Sequence, residues 1–575
     1  IVTDRFNNGD TSNDDPNGEN YNKKHLESYH GGDIKGITEK LDYLKELGIN
    51  TIWITPIVDN IDFNVAVNWN VPEELKSQYG YHGYWAKNFE AMDEHLGSVE
   101  DLKELIDEAH DRGIKIMVDV VLNHAGYGMH PNETINVKNF PTAEEKAKFE
   151  GMFRERGTTD TIKGEQSGLP DFMTEVPEVR AKLIEWQTSW LEKAKTEKGN
   201  TIDYFRVDTT KHVESTTWNA FKNRLTEIKP DFKMIGENYG ASIDSHGGQL
   251  RSGQFDALLD FSFNDIAKDF VNGNIDRAIE RILEREKLMD STATVGNFLS
   301  SHDEDGFLWT LDKEGNNNGV YDKDEIGKFM LAVSLQLTSK GQPVIYYGEE
   351  LGASGKKSGN MQAGEFSENR YDMPWERVED ENYKYILNHY KSLLSVRDKY
   401  SKVFAKGESV KLAGGDKDKF VIISKTYKDT ELIVAFNQEA EESDITFKTG
   451  LEPGTVIVDE YSGDTYTVDK DGNCTFTLPS IEDGGTSLLA VKSSNDNDED
   501  EDTIDDNDDE KENGEKDDNN GSKGRDGNNQ GGKIDGENFD KLPKTGGMPI
   551  YDLIGIGVLL IACGSLIIKK KAKKV

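Results

Sequence analysis

With 575 residues, a net charge of −40 and 35% hydrophobic residues, the chain has material for several folded units behind a strongly negative surface. That charge excludes nucleic acid and anionic membrane surfaces as partners, since both would repel it, and favours a neutral substrate. Two cysteines, Cys474 and Cys563, stand in stretches of different character, so neither a disulfide framework nor a cysteine-rich metal site is expected.

The chain opens on "IVTDRF", which reads as the second half of a strand, so the start of that strand and a leader segment are expected upstream. Seven further apolar or β-branched runs follow: "INTIWITPI" from Ile49, "IKIMVDVVLNH" from Ile114, "IDYFRVD" from Ile202, "FKMIGEN" from Phe232, "FDALLDFSF" from Phe255, "NFLSSHD" from Asn297 and "PVIYYGEE" from Pro343. Between them lie stretches with apolar residues at helical spacing, such as "GITEKLDYLKELG", "VEDLKELIDEAHDRG" and "EVRAKLIEWQTSWLEKAK". Eight strands alternating with helices predict an α/β architecture, a (β/α)8 TIM barrel over 1–124 and 177–400 with its first strand cut short. About fifty residues rich in Gly, Lys, Glu and Thr after "VLNH" are too many for a simple connection and predict a protruding subdomain at 125–176, after the third strand. Beyond Tyr400 the helical pattern stops, and "KFVIISKTY", "TELIVAFNQ", "GTVIVDEY" and "TSLLAVKSS" predict a C-terminal antiparallel β-sandwich domain at 401–493.

From Ser494 to Lys541 there are 19 acidic and 6 basic residues among Asn, Gly and Ser, a composition too polar and self-repelling to bury a core. Residues 494–541 therefore read as a solvated linker. Residues 542–575 carry "LPKTG", an apolar run from Leu553 to Ile568 and the closing "KKKAKKV". The run is slightly shorter than the roughly 20 residues of a spanning helix, but flanking lysines snorkel and the basic end stays cytoplasmic. Motif, apolar run and basic tail in this order resemble the sorting signal of Gram-positive surface proteins. The resemblance implies that a sortase cuts between Thr545 and Gly546 and joins Thr545 to peptidoglycan. The membrane segment is then transient and the rest of the chain is extracellular and wall-anchored. A permanent single-span anchor would also leave the body of the chain outside the cell.

The polar residues at the C-terminal ends of the barrel strands face the usual active-site mouth. They are Asn123 and His124 on the third strand, Arg206 and Asp208 on the fourth, Glu237 on the fifth, and His302 and Asp303 on the seventh. In "FRVDTTKH" Arg206 and Asp208 are two residues apart and share a face, so the guanidinium favours the ionised carboxylate that a nucleophile needs. On an ordinary surface strand the same pair would be an ion pair of little worth. The joint placement of three carboxylates, two histidines and an arginine on one rim favours chemistry. Two carboxyl groups about 5 Å apart make a retaining glycosidase, and neighbouring strands supply that spacing. Asp208 is then the nucleophile and Glu237, without an adjacent cation, the protonated acid. Asp303 is placed to stabilise positive charge on the sugar ring, with the histidines donating to sugar hydroxyls.

At these residues the chain resembles the alpha-amylase family of glycoside hydrolases, family thirteen, from its first residue to about Ser493. "DVVLNH" (Asp119 to His124), "FRVDTTKH" (Phe205 to His212), "IGEN" (Ile235 to Asn238) and "FLSSHD" (Phe298 to Asp303) match four signature regions in order, and "GLPDF" (Gly168 to Phe172) matches a fifth. The resemblance implies the same roles for Asp208, Glu237 and Asp303, with Arg206, His124 and His302 around the reacting sugar and Lys211 towards the leaving group. "YHGYW" (Tyr81 to Trp85) matches as well, which implies Tyr84 as a platform under that sugar, with His82 nearby. It further implies a structural calcium between barrel and subdomain, held by Asn123, Asp171 and the backbone oxygen of His212. "NNGDTSNDD" followed by "GGD" resembles the calcium loop of cyclodextrin glucanotransferases and related amylases. This implies a second calcium at Asn8, Asp10, Asn13, Asp14, Gly31 and Asp33, oxygen donors of the kind calcium takes; a plain Asx-rich turn is the alternative. Three positions depart from the family pattern: Tyr204 replaces a frequent Gly, Ser301 replaces an Asn, and "HDEDGF" lacks the Arg often found three residues after the Asp. None removes a proton-transfer group.

The expected activity is hydrolysis of alpha-1,4-glucosidic bonds in starch-like glucans with retention. A cyclomaltodextrinase- or pullulanase-type hydrolase and a glucanotransferase of the same family stay open beside it, as does, from another class, a catalytically inert glucan-binding adhesin. The joint presence of Asp208, Glu237 and Asp303 argues against the adhesin. Oligomeric state is not legible.

Overall fold

A computed structural model of the chain describes residues 1–491 apart from 19, 69–70, 73–75, 158–159 and 313–320. The acidic linker, the LPKTG motif with Thr545 and Gly546, and the apolar run lie outside the described residues. Among the described residues no helix is long and apolar enough to cross a membrane.

Strand β1 (Thr51–Ile54) begins a curled parallel sheet, and a short antiparallel ribbon of β2 (Val58–Asn60) and β3 (Ala86–Met92) follows it. The sheet continues through β4 (Lys115–Val120), β5 (Tyr204–Val207), β6 (Lys233–Gly236), β7 (Ala257–Asp260), β8 (Thr294–Phe298) and β9 (Gln342–Val344). Its order is β1-β4-β5-β6-β7-β8-β9 and every pairing is parallel. Helices separate the strands, as parallel connections usually require, except that β6 and β7 are joined by a loop without a helix. Helix Val99–Asp111 shows why they form where they do. A Ser98–Asp101 capping box starts it, and Leu102, Leu105, Ile106 and Ala109 are buried along one face. The barrel interior is filled by Ile235, Ala257, Leu259 and Phe298, packed against Trp53, Met117, Phe261 and Val344. Seven of the eight expected strands thus form a curled parallel sheet, consistent with the expected (β/α)8 barrel.

The opening segment differs from the expectation. Only Ile1 is strand-like, its N–H donating to the Trp53 carbonyl at 2.7 Å and its carbonyl accepting from Thr55 at 3.3 Å. Thr3–Phe6 is one helical turn rather than strand, with Asp4 and Arg5 buried. The expected sixth strand is likewise shorter, because Asp260 caps a helix at Phe261–Val271 and "FSF" belongs to that helix.

Between β4 and helix Pro177–Thr188 the chain forms a lobe. Phe149, Phe153 and Phe172 stack there and join Phe89 and Trp186 of the barrel. An isolated bridge pairs His124 with Asp171 and ties the lobe's last residues to the end of β4.

The helical pattern runs slightly past Tyr400, through Ser401–Lys406. Eight antiparallel strands follow: β10 (Glu408–Gly415), β11 (Phe420–Tyr427), β12 (Thr430–Asn437), β13 (Ser443–Lys448), β14 (Val456–Asp459), β15 (Thr465–Thr467), β16 (Asn473–Leu478) and β17 (Thr486–Val491). Six form one sheet in the order β10-β11-β12-β17-β14-β15, and β13 pairs with β16. Period-two alternation gives the large sheet two apolar faces. Ile422, Ile433, Ala435 and Leu489 pack towards the β13–β16 pair, while Val421, Ile423, Val434 and Leu488 join the main core. At that seam Lys425 on β11 donates to Glu286 at 2.8 Å with both side chains buried, and Glu286 also accepts from the Lys340 N–H at 3.0 Å.

Candidate active site

Register places the first charges. Asp119 on β4 and Arg206 on β5 are partners in the parallel ladder, and Asp208 lies two residues beyond Arg206 on the same face. Arg206 is fully buried and donates through Nη1 to both Asp119 oxygens at 3.0 Å and to Asp208 Oδ1 at 2.7 Å. A buried guanidinium is tolerable only with such partners. The rings of Trp53 and Tyr84 lie 5.0 and 5.9 Å from its centre, adding cation–π attraction. Asp119 also accepts from Tyr84 Oη at 2.7 Å and Trp53 Nε1 at 3.2 Å. Burial pushes Asp119 up to about 7, with the charge of Asp208 adding to it and Arg206 opposing.

Glu237 follows β6. Its neighbour Gly236 is the ladder partner of Val207, so Asp208 and Glu237 leave adjacent strands side by side, about 4.8 Å apart in the ladder direction. Burial, followed by the charge of Asp208, pushes the Glu237 carboxyl up to about 8, against the pull of Arg206. Burial, with the Asp208 carboxylate adding to it, therefore keeps Glu237 protonated at neutral pH. Glu237 Oε2 accepts from the Thr209 N–H at 2.8 Å. Thr209 has φ of 51°, a left-handed conformation that costs a β-branched residue roughly 1–3 kcal/mol and clusters at functional sites.

Asp303 follows β8 and is gripped from two sides, by His302 Nε2 at 3.1 Å and Arg370 Nη2 at 3.1 Å. Burial works against its charge, but the His302 contact and the Arg370 and Arg206 guanidiniums outweigh burial and hold the carboxyl below its usual range. Burial holds His82, His124 and His302 below the ordinary imidazole range, so all three are neutral partners at pH 7. The rings of Tyr84 and His302 stack at 5.5 Å and 4°, and Tyr84 Oη lies 2.9 Å from His302 Nε2. His82 packs against Tyr84 and Trp85, and His124 Nε2 donates to the Tyr84 carbonyl at 3.2 Å.

Asp208, Glu237, Asp303, Arg206, His82, Tyr84, His124 and His302 thus come together at one mouth. Lys211 stands apart on the side of Tyr239, whose carbonyl it reaches at 3.0 Å. A separate cavity of about 670 Å³ in the lobe, lined by His130, Phe153, Arg154 and Arg156, holds none of these carboxylates.

The two expected calcium positions differ in the donors they offer. In the N-terminal loop Asn8 Oδ1 and Asn13 Oδ1 are buried without a donor. Gly31 has φ of 84°, and a Cβ there would lie 2.5 Å from Asp14 Oδ1 and 2.6 Å from Asn8 Nδ2, so a side chain would strain the backbone and push both groups aside. Asp33 caps the next helix and accepts from the N–H of Gly36, Asp10 and Gly9, while Asp10 accepts from Ser12. At the second position Asp171 Oδ1 is buried without a donor, and Asp171 Oδ2 takes Arg154 Nε at 2.6 Å. Asn123 lies beside His124, and His212 Nδ1 donates to the Thr161 carbonyl at 2.7 Å. The first donor set, with its orphaned buried oxygens, fits a hard cation that takes oxygen ligands, and at the second Asp171 Oδ1 is the oxygen left open. The two sets mix carboxylate, amide and backbone oxygens, and among the described residues no three His, Cys, Asp or Glu side chains converge by themselves.

Four contributors were not singled out as site residues from sequence: Trp53, Asp119, Thr209 and Arg370. Asp119 sat in plain view within "DVVLNH", but as a mid-strand residue rather than a strand end. Arg370 lies 67 residues from Asp303, and nothing local in the sequence marks it.

A family model described as "Alpha amylase, catalytic domain" matches residues 1–447. A beta/alpha-amylase of Paenibacillus polymyxa is 32% identical over 491 residues, 83% of this chain but 36% of that relative, so the chain spans about a third of its length. A neopullulanase 2 of Thermoactinomyces vulgaris is 27% identical over 482 residues, 81% of this chain and 73% of the relative. Among solved structures, an alpha-amylase of Geobacillus thermoleovorans complexed with acarbose matches with a TM-score of 0.67 at 26% identity, over 86% of this chain and 97% of that one. With its catalytic domain matched over most of its length, the chain belongs to the alpha-amylase family of glycoside hydrolases, enzymes acting on alpha-glucans.

Proposed function

We propose that the protein is a retaining alpha-amylase-type hydrolase that cleaves alpha-1,4-glucosidic bonds in starch-like glucans. The observation that carries this reading is the charge-split pair: Asp208 bonded to Arg206, and Glu237 raised to about 8 on the neighbouring strand. Asp208 attacks the anomeric carbon while Glu237 passes its proton to the departing glycosidic oxygen. Water then opens the glycosyl ester on Asp208 and returns a proton to Glu237, so configuration is inverted twice and retained. Asp303 steadies the positive charge that develops on the ring, and the neutral His82, His124 and His302 bind its hydroxyls. Tyr84 lies under the same sugar and Lys211 serves the leaving-group side.

Time-resolved proton NMR of soluble starch is the test. Early alpha-anomeric reducing ends, with the alpha-1,4 signal falling and the alpha-1,6 signal constant, are expected. Loss of the alpha-1,6 signal would make the enzyme pullulanase-like, cyclic products would make it a glucanotransferase, and no change from folded protein would leave the glucan-binding adhesin.

Calcium would be held by Asn8, Asp10, Asn13, Asp14, Asp33 and the Gly31 carbonyl in one place, and by Asn123, Asp171 and the His212 carbonyl in the other. It would supply cross-linking charge to loops that frame the barrel mouth. Calcium at a hundred times its Kd is expected to stabilise the fold by about 2.7 kcal/mol. The melting temperature should therefore fall with chelator and recover with calcium, less so in Asn13→Ala. A chelator-insensitive melt would remove calcium from the account.

The LPKTG motif, apolar run and basic tail support a surface role, in which sortase joins the chain to peptidoglycan and the acidic linker holds the barrel clear of the wall. Deleting residues 496–541 should then reduce starch hydrolysis by intact cells and leave the soluble enzyme unchanged. Equal loss in both would defeat that role for the linker.

A further inference from the structure

Asp303, in the loop after β8, is not left to itself. A segment more than sixty residues later grips the whole loop. Asn369 Nδ2 donates to the carbonyls of Ser301 at 3.0 Å and Glu304 at 2.9 Å. Arg370 Nε donates to the carbonyl of His302 at 3.0 Å, and Arg370 Nη2 to Asp303 Oδ1 at 3.1 Å. Four consecutive residues, Ser301 to Glu304, are thus held by two neighbouring side chains.

The clamp is itself built in. Asn369 is buried, its carbonyl accepts from Tyr346 Oη at 3.0 Å, and the Arg370 N–H donates to the Ser367 carbonyl at 3.1 Å. The Ser367 N–H in turn donates to the buried Glu27 at 2.9 Å, which also accepts from Tyr81 Oη at 3.2 Å. Arg5 lies 3.9 Å from the centre of the Tyr81 ring. No flexible surface side chain enters this chain of contacts.

We propose that Asn369 and Arg370 are positioning residues that fix the carboxylate of Asp303 from another loop. The proposal rests on Asp303 stabilising the transition state. A carboxylate that must face a charge developing on the sugar ring loses most of its effect when displaced by about 1 Å, which costs on the order of 10²-fold in rate. Arg370 then acts through Asp303 and not by holding sugar. The charge of the guanidinium and its planar fork both matter, so lysine at this position replaces only part of the function.

The test uses the full chain and an alpha-maltotriosyl fluoride substrate, with kcat and KM measured separately. Arg370→Met is expected to lower kcat about 10²-fold with KM little changed, and Arg370→Lys to recover part of the loss. In an Asp303→Asn background Arg370→Met should cost nothing further, since groups that act as one unit are not additive. A rise in KM alone would show that Arg370 contacts substrate, and an undiminished cost in the Asp303→Asn background would show that it acts elsewhere; either overturns the proposal. Wild-type turnover by Asp303→Asn would instead remove the role of Asp303 itself. If thermal melting shows that Arg370→Met does not fold, Asn369→Ala carries the same cycle.

Discussion

Asp208→Asn is expected to reduce kcat on a linear alpha-1,4-glucan by on the order of 10⁶-fold, the scale seen when an enzyme loses its covalent nucleophile. The substitution keeps the size of the side chain and an oxygen for Arg206, which also retains Asp119. It removes only the carboxylate that bonds to the anomeric carbon. KM should change little, because the groups around the sugar stay in place. The same change should lower the pH at which Glu237 ionises, since the charge of Asp208 is one of the causes that raise it. Turnover within tenfold of wild type would end the assignment.

Glu237→Gln should cost about 10²–10⁴-fold on starch, the usual contribution of a positioned acid or base. On a glycosyl fluoride, whose leaving group needs no proton, the first step should be far less affected. In the wild-type protein kcat/KM should fall as pH rises through about 8, because the acid must hold its proton in the free enzyme. The variant should lack that limb. Stability follows the same sign. The folded chain keeps the Glu237 proton to about 8, whereas an unfolded glutamate releases it near about 4.3. The stability tied to this proton is present at low pH and is lost as pH rises through about 8. Glu237→Gln should therefore melt higher than wild type at alkaline pH, and an unchanged alkaline limb would argue for a different acid.

The seven parallel strands were legible because strands buried on both faces read as continuous apolar runs. The β2–β3 ribbon was not, since β2 has three residues and β3 reads "AKNFEAM", with register shifts that break its alternation. The turn at Thr3–Phe6 is too short to show a helical period. Among the antiparallel strands, "FVIISKTY" announced itself, but "SDITFK" and "NCTFTL" put only alternate residues in the core and look like polar linkers. At the site, Asp208 and Glu237 were readable because each stands one residue past a recognisable strand, and Asp303 because it closes "NFLSSHD", although β8 itself stops at Phe298. Asp119, a mid-strand residue, and Arg370, from a loop with no periodic signal, owe their roles to tertiary contacts alone.

The buried Glu286–Lys425 pair bears on how such enzymes can be recombined. A chimaera that joined this barrel to a foreign sheet without a lysine at that place would strand Glu286 in an apolar seam. Losing one partner of a buried pair costs about 3–5 kcal/mol, a large part of a typical fold's stability. The two sides of the seam must therefore travel together, and grafting experiments should cut elsewhere in the chain.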